Sequence, residues 1–143
     1  MNYPPLYLRK NSEHTVRNGH PWIFSGAVDR RPKDADTGDV VDVFDSNQRF
    51  VCRGFYNKRS LIRVRSLTQD ASCPIDSAFF EQRIAQAVEY RRGTDLASVT
   101  NAMRLIHGES DGLPGLIVDY YAGYLSIQLH IAGMEQQRQV VLD

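Results

Sequence analysis

Cations are concentrated where they could hold a polyanion. Lys58 and Arg59 sit in the polar run Asn57-Lys58-Arg59-Ser60, and Arg63 and Arg65 follow at alternate positions of an apolar stretch. Arg17 and His20 flank Gly19 at a second place. Guanidinium and ammonium groups at such corners would anchor phosphates, and a glycine among them would let a phosphate or base approach the backbone. In a strand, alternation sets Ile62 and Val64 on one face and Arg63 and Arg65 on the other. With the apolar pair inward, both guanidinium groups are predicted to reach solvent beside Lys58 and Arg59. Trp22 and Tyr56 are the nearby aromatics. A single aromatic in a strand is more often core than stacking platform, so Trp22 is read as core, and Tyr56 stays open between the two.

The formal net charge of zero hides an asymmetry. Residues 1–65 hold 12 Lys and Arg against 7 Asp and Glu, while residues 66–143 hold 5 against 10. Such a split points to a polyanion-binding front and an acidic or partner-facing rear. Fourteen of the 17 cations are arginine, whose planar fork suits phosphates and base edges better than an ammonium does. On charge alone, solvated strands explain the front half equally well. Arg91 and Arg92, on the acidic half, are expected to take no part in polyanion binding.

Other chemistries find little support. His107, Glu109 and Asp111 could be taken for a metal or acid–base cluster. The plainer reading is favoured, because Asp111-Gly112 and Pro114-Gly115 are turn formers and acids in such turns bond nearby backbone amides. No GxGxxG, GxxxxGK, GxSxG or HExxH pattern occurs. Cys52 and Cys73 lie 21 positions apart, with no CxxC and no histidine at metal spacing. Cys52 is read as a small buried residue, Cys73 as a linker residue. No catalytic, cofactor-binding or metal residue is therefore assigned. The start, Met1-Asn2-Tyr3-Pro4-Pro5, lacks the pattern of a signal peptide, and no apolar run approaches the ~20 residues that span a bilayer. A cytoplasmic protein with no membrane partner is predicted.

Two small domains must position these residues. Residues 6–10 read as a strand. Ser12 is predicted to cap a short helix over 13–18, closed by Gly19. Pro21 biases His20 away from helix, so residues 20–24 run extended. Residues 30–36 read as polar loop. Strands are predicted over 40–44, 50–56 and 61–67, the first two joined by a hairpin turn at 45–48. Several short strands with one small helix point to a compact β-barrel or sandwich. Beyond a linker at 68–74, Asp76 should cap a helix running to Arg92 and closed by Gly93, with Phe80, Ile84, Ala87 and Val88 as its apolar stripe. Residues 96–100 read as loop. Strands follow at 104–106, 116–118 and 124–129, and a helical pattern opens at 134–142. That pattern stops without a cap, which reads as a truncated domain. The fold class expected is α+β: a β pseudo-barrel over 1–68, then a helix-plus-antiparallel-strand domain over 76–143.

Several motifs match a known family in order and spacing. Gly38-Asp39-Val40-Val41-Asp42-Val43, Gly54-Phe55-Tyr56-Asn57 and Ile62-Arg63-Val64-Arg65 resemble the PUA domain, a pseudo-barrel of RNA-modifying enzymes. His20-Pro21-Trp22-Ile23-Phe24-Ser25-Gly26-Ala27-Val28 is similar to the opening of one PUA branch. That branch is the SAM-dependent cytosine-5 methyltransferases of large-subunit ribosomal RNA. Phe79-Phe80 with Arg83 and Ile84, and Gly108-Glu109-Ser110-Asp111-Gly112-Leu113-Pro114-Gly115-Leu116, look like the linker domain of that branch. The resemblance implies structured ribosomal RNA as partner, Arg17, Gly19 and His20 near that RNA, and SAM in the full-length protein. It also implies a Rossmann-like domain, holding the SAM loop and catalytic cysteines, outside these 143 residues. Lys58, Arg59, Arg63 and Arg65 rest on charge alone. The alternatives are a stand-alone PUA-type RNA-binding module without enzymatic activity and an assembly module that forms a homodimer through its acidic half.

Overall fold

A computed structural model describes residues 3–143, with positions 96 and 97 described by backbone alone. The chain divides into two units, Met1–Pro74 and Ile75–Asp143. No described helix is long and apolar enough to cross a membrane.

The first unit is one curled, six-stranded sheet. Its strands are β1 (Pro5–Leu8), β2 (Trp22–Phe24), β3 (Val28–Arg30), β4 (Val40–Phe44), β5 (Phe50–Tyr56) and β6 (Ile62–Thr68), with an α-helical turn, α1 (His14–Arg17), and a 3-10 turn at Ser25–Ala27. The order is β2-β6-β5-β4-β1-β3. The β1–β4 pair is parallel, and the other pairs are antiparallel. Alternation in β4 buries Val41 and Val43 fully, and they join Leu6, Leu8, Ile23, Val51 and Val64 in one core. Each such aliphatic contributes about 1.5–3 kcal/mol by leaving water. Curling covers the central strand on both faces, so all of β5 after Phe50 is buried, including Cys52 and Tyr56. Burial pushes the Cys52 thiol up to about 12.

The second unit sets α2 (Ser77–Arg92) and the short helices α3 (Leu96–Val99), α4 (Ala132–Gln136) and α5 (Arg138–Leu142) around an antiparallel sheet of β7 (Ala102–His107), β8 (Leu116–Tyr121) and β9 (Tyr124–Leu129), in that order. Asp76 caps α2 by accepting the Phe79 amide at 3.0 Å. Of the expected stripe, Phe80 and Ala87 are buried, Ile84 and Val88 half-buried. Phe80, Leu113, Leu116 and Met134 are fully buried.

The mixed α+β class is the one the sequence predicts. Four local readings change. The first helix starts at His14 with Glu13, not Ser12, at its N-cap, because Asn11 (φ 64°) turns the chain just before. Residues 28–30 form an edge strand. Residues 96–99 form a helical turn rather than loop. The helical pattern at 134–142 breaks at Gln137, whose amide folds back to the Met134 carbonyl at 3.0 Å.

Candidate nucleic-acid interface

The corner after α1 is built by backbone geometry. Asn18 is the C-cap, and Gly19 follows at φ 93°, a left-handed conformation that glycine adopts without strain. The Gly19 amide donates to the Val16 carbonyl at 2.9 Å and the His20 amide to Thr15 at 3.0 Å, which closes the helix in a Schellman motif. Pro21 then prevents any return to helix. No heavy atom lies within 4 Å of where a Cβ on Gly19 would stand, so the approach to its backbone is open.

From this corner β2 runs extended, and period two brings His20, Trp22 and Phe24 to one face. Their rings form a row: His20–Trp22 at 5.8 Å edge-on, Trp22–Phe24 at 6.3 Å edge-on, His20–Phe24 at 6.1 Å. Ile23, on the other face, is core. His20 Nδ1 lies 3.1 Å from the Trp22 amide nitrogen and 3.2 Å from the Trp22 carbonyl oxygen, which fixes the ring against the β2 backbone. Arg65 pairs with Trp22 across the β2–β6 ladder and lays its guanidinium 5.2 Å from the indole centroid. Trp22 is thus half-buried in a surface row rather than core, and Phe24 is 48% exposed. Tyr56, left open above, is core at 3% exposure. The recurrence of aromatics at 20, 22 and 24 was the sequence signal for this row.

The predicted cations divide. Arg63 does not reach solvent: it is 5% exposed. A register shift between Ile23 and Phe24 leaves it out of the β2–β6 pairing, and its Nη1 donates to the Asn57 carbonyl at 2.8 Å. It pins the β5–β6 turn instead. Arg17 Nη2 reaches the other way, to Asp45 Oδ2 at 3.2 Å and the Phe50 carbonyl at 3.3 Å. Asp45 is fully buried and also accepts the Asn47 and Arg49 amides and Arg49 Nε. The Arg49 amide bond, above all, holds its carboxyl below the ordinary carboxylate range. Lys58 pairs with Asp36 at 2.5 Å, and that bond raises its pKa. Arg59 is exposed in the same turn, which the Ser25 amide ties to the end of β2 through the Leu61 carbonyl at 2.8 Å. Gly19, His20 and Arg65 therefore come together along β2, Lys58 and Arg59 lie at its far end, and Arg17 and Arg63 serve the turns.

In the second unit the 108–115 segment is a turn closed on itself. A 3-10 turn, Gly108–Asp111, is followed by Gly112 at φ 68° and Gly115 at φ 78°. The Leu113 amide donates to Gly108 at 3.0 Å and the His130 amide to Gly115 at 2.8 Å. Asp111 accepts the His107 amide at 2.6 Å and both terminal nitrogens of Arg91 at 2.6 and 2.8 Å. Arg91 is thus a partner of this turn and not a solvated cation. No group of three metal-ligating side chains occurs among the described residues.

Sequence comparison gives the class first: residues 6–69 match the PUA-like domain family, a span that coincides with β1 to β6. Over nearly the whole chain the similarity is to particular enzymes. Ribosomal RNA large subunit methyltransferase I of Salmonella arizonae is 40% identical over 141 residues, 99% of this chain and 35% of that protein. The enzymes of the same name from Klebsiella pneumoniae and Escherichia coli are 41% and 42% identical, over 98% and 96% of this chain and 35% of theirs. The chain therefore spans about a third of the curated relatives it matches. Among solved structures, SMU.776, crystallised in complex with SAH, superposes with a TM-score of 0.83 at 15% identity, covering 97% of this chain and 36% of that one. That likeness is one of fold.

Proposed function

We propose that this chain is the RNA-binding N-terminal part of a SAM-dependent methyltransferase that acts on cytosine C5 of large-subunit ribosomal RNA. Residues 1–68 form the PUA-like RNA-binding domain and residues 76–143 the linker domain. The observation that carries this reading is the 40% identity, over 99% of the chain, to proteins named as ribosomal RNA large subunit methyltransferases. The β2 row supports it chemically. Phosphates would lie against Arg65, Arg59 and Lys58, and an unstacked base against the His20, Trp22 and Phe24 rings, with Gly19 admitting the backbone closely.

Methyl transfer is assigned to residues beyond these 143. A cytosine-5 enzyme attacks its base with a cysteine thiolate. The thiol of Cys52 is buried and pushed up to about 12, so it stays protonated at neutral pH. SAM is assigned to the full-length protein: Gly112 and Gly115 lie against Arg83 and Ile131, and no strand–glycine loop–helix unit occurs among the described residues. The part played here is to bind and orient RNA in the cytoplasm.

The test uses the full-length gene product with SAM and large-subunit ribosomal RNA lacking the modification, read by mass spectrometry of the digested RNA. One new 5-methylcytidine, dependent on the full-length protein, is expected. A methyl group on a different base or on ribose would overturn the cytosine-5 reading.

A further inference from the structure

A second surface of the first unit is equipped for nucleic acid. A cleft of about 580 Å³ opens beside the edge strand β3, lined by Tyr3, Tyr7, Arg30, Arg31, Lys33 and Asp34. This size suits a small ligand. Its charged lining is three cations against one carboxylate.

Strand register builds the floor. Tyr7 of β1 pairs with Phe44 of β4 on one side and with Arg30 of β3 on the other. Phe44 pairs in turn with Phe50 of β5. These four side chains form a continuous row across four strands. Phe50 and Phe44 meet edge-on at 6.1 Å, and Phe44 and Tyr7 stack at 5.6 Å with 29° between their planes. Arg30 Cζ lies 4.0 Å from the Tyr7 centroid. The row ends at Arg30 because β3 is the edge of the sheet. Arg30 is 65% exposed, and the Asp29 carboxylate stands off at 3.9 Å. A guanidinium held against an aromatic ring presents its other face as a stacking plane for a base. Arg31 and Lys33 are exposed and form no ion pair among the described residues.

We infer that this cleft holds an unpaired nucleotide of the bound RNA, its base stacked on Arg30 and its flanking phosphates held by Arg31 and Lys33. The inference rests on the reading of the chain as RNA-binding, but it concerns a surface that the β2 row does not use. Single-strandedness follows from the geometry: a base reaches the end of a stacked row inside a cleft only when splayed out of a helix. Asp34 on the rim disfavours a second phosphate there and so orients the strand toward Arg31.

The test is fluorescence anisotropy with three probes: a blunt ribosomal RNA hairpin, the same hairpin with six unpaired nucleotides, and free hexauridylate. The tail is expected to tighten binding to the parent chain by about tenfold, the scale of one stacked base with its phosphates. Arg31→Glu with Lys33→Glu should abolish that advantage and leave blunt-hairpin affinity within about twofold. Arg30→Lys, which keeps the charge and loses the plane, should remove most of it. A tail that adds nothing for the parent, or an advantage surviving in both variants, overturns the inference. So does an equal loss on blunt and tailed hairpins, which would mean general charge alone. Hexauridylate binding that depends on Arg30 without hairpin binding would sink the β2-row reading and uphold this one. No binding of any probe would sink both.

Discussion

Adding a single methyl group at Gly54 is expected to lower the melting temperature of the first unit severely. Gly54 lies in β5 opposite Ser66 of β6, where the ladder register shifts. A Cβ built on it would stand 2.2 Å from the Arg65 carbonyl oxygen, 2.8 Å from the Arg65 carbonyl carbon and 2.9 Å from the Ser66 Cα, whereas ordinary contact begins near 3.4 Å. All three atoms are backbone, so no side chain can swing aside. β6 would have to retreat by about 1 Å, straining its ladder and carrying Arg65 away from Trp22. Overpacking a core costs typically 1–3 kcal/mol, and a backbone obstacle puts Gly54→Ala at the upper end, about 3 kcal/mol. For a domain of this size each kcal/mol lowers Tm by roughly 4–8 °C, giving about 12–24 °C. Gly26→Ala is the control, because nothing lies within 4 Å of its added Cβ. Differential scanning calorimetry of parent and both variants reads the effect. A Gly54→Ala midpoint within about 4 °C of the parent would refute the close approach of β5 and β6.

Three further outcomes are expected. Gly115→Val should cost more stability than Gly112→Val, and each at least about 1 kcal/mol, since both glycines have positive φ; the Cβ at 115 meets the branched Ile131 at 2.6 Å, while that at 112 meets only the flexible end of Arg83 at 2.5 Å. Urea midpoints would rank the two. The depressed pKa of Asp45 means the folded state favours its charged form, so this stabilisation is present above the ordinary carboxylate pKa near 3.9 and is lost as pH falls through the lower folded value; Asp45→Asn should flatten the acid limb of a stability–pH profile, and an unchanged limb would contradict the buried contacts. Calorimetric titration of the 143-residue chain with SAM should give no saturable heat at micromolar ligand, and a clear isotherm would place the cofactor site within it.

Elements governed by local rules were legible in the sequence. Asp76 caps α2 because a carboxylate before an apolar-periodic run has an amide to accept, and Gly19 closes α1 because only a left-handed residue lets the chain turn there. β9 was legible at both ends, since Ala122-Gly123 and His130 bound an uninterrupted run. What failed depended on register and long-range pairing. Arg63 obeys alternation in the sequence, but a shift in the β2–β6 ladder turns it into the hairpin. β3 is three residues long with two charged positions, and only its pairing with β1 makes it a strand. Trp22 was read alone as core, when its meaning came from His20 and Phe24 two residues on either side. The row Phe50, Phe44, Tyr7 and Arg30 is invisible in sequence, because its members are brought together by four separate strands.

That the first unit grips structured RNA along β2 and the β5–β6 turn is tested most directly by a filter-binding salt series on large-subunit ribosomal RNA fragments. The variants are Arg59→Glu with Arg65→Glu, and Trp22→Ala. Arg92→Glu is the control; it lies on an exposed face of α2, 74% accessible. The double variant should lose at least about tenfold in affinity at low salt and shift the slope of log K against log salt by roughly two phosphate contacts, with a melting temperature near the parent's. Trp22→Ala should weaken binding at every salt concentration and leave the slope unchanged, because stacking releases no counterions. Arg92→Glu should bind as the parent does. A double variant with parental affinity and slope would contradict the assignment and place the RNA-binding surface elsewhere on the chain.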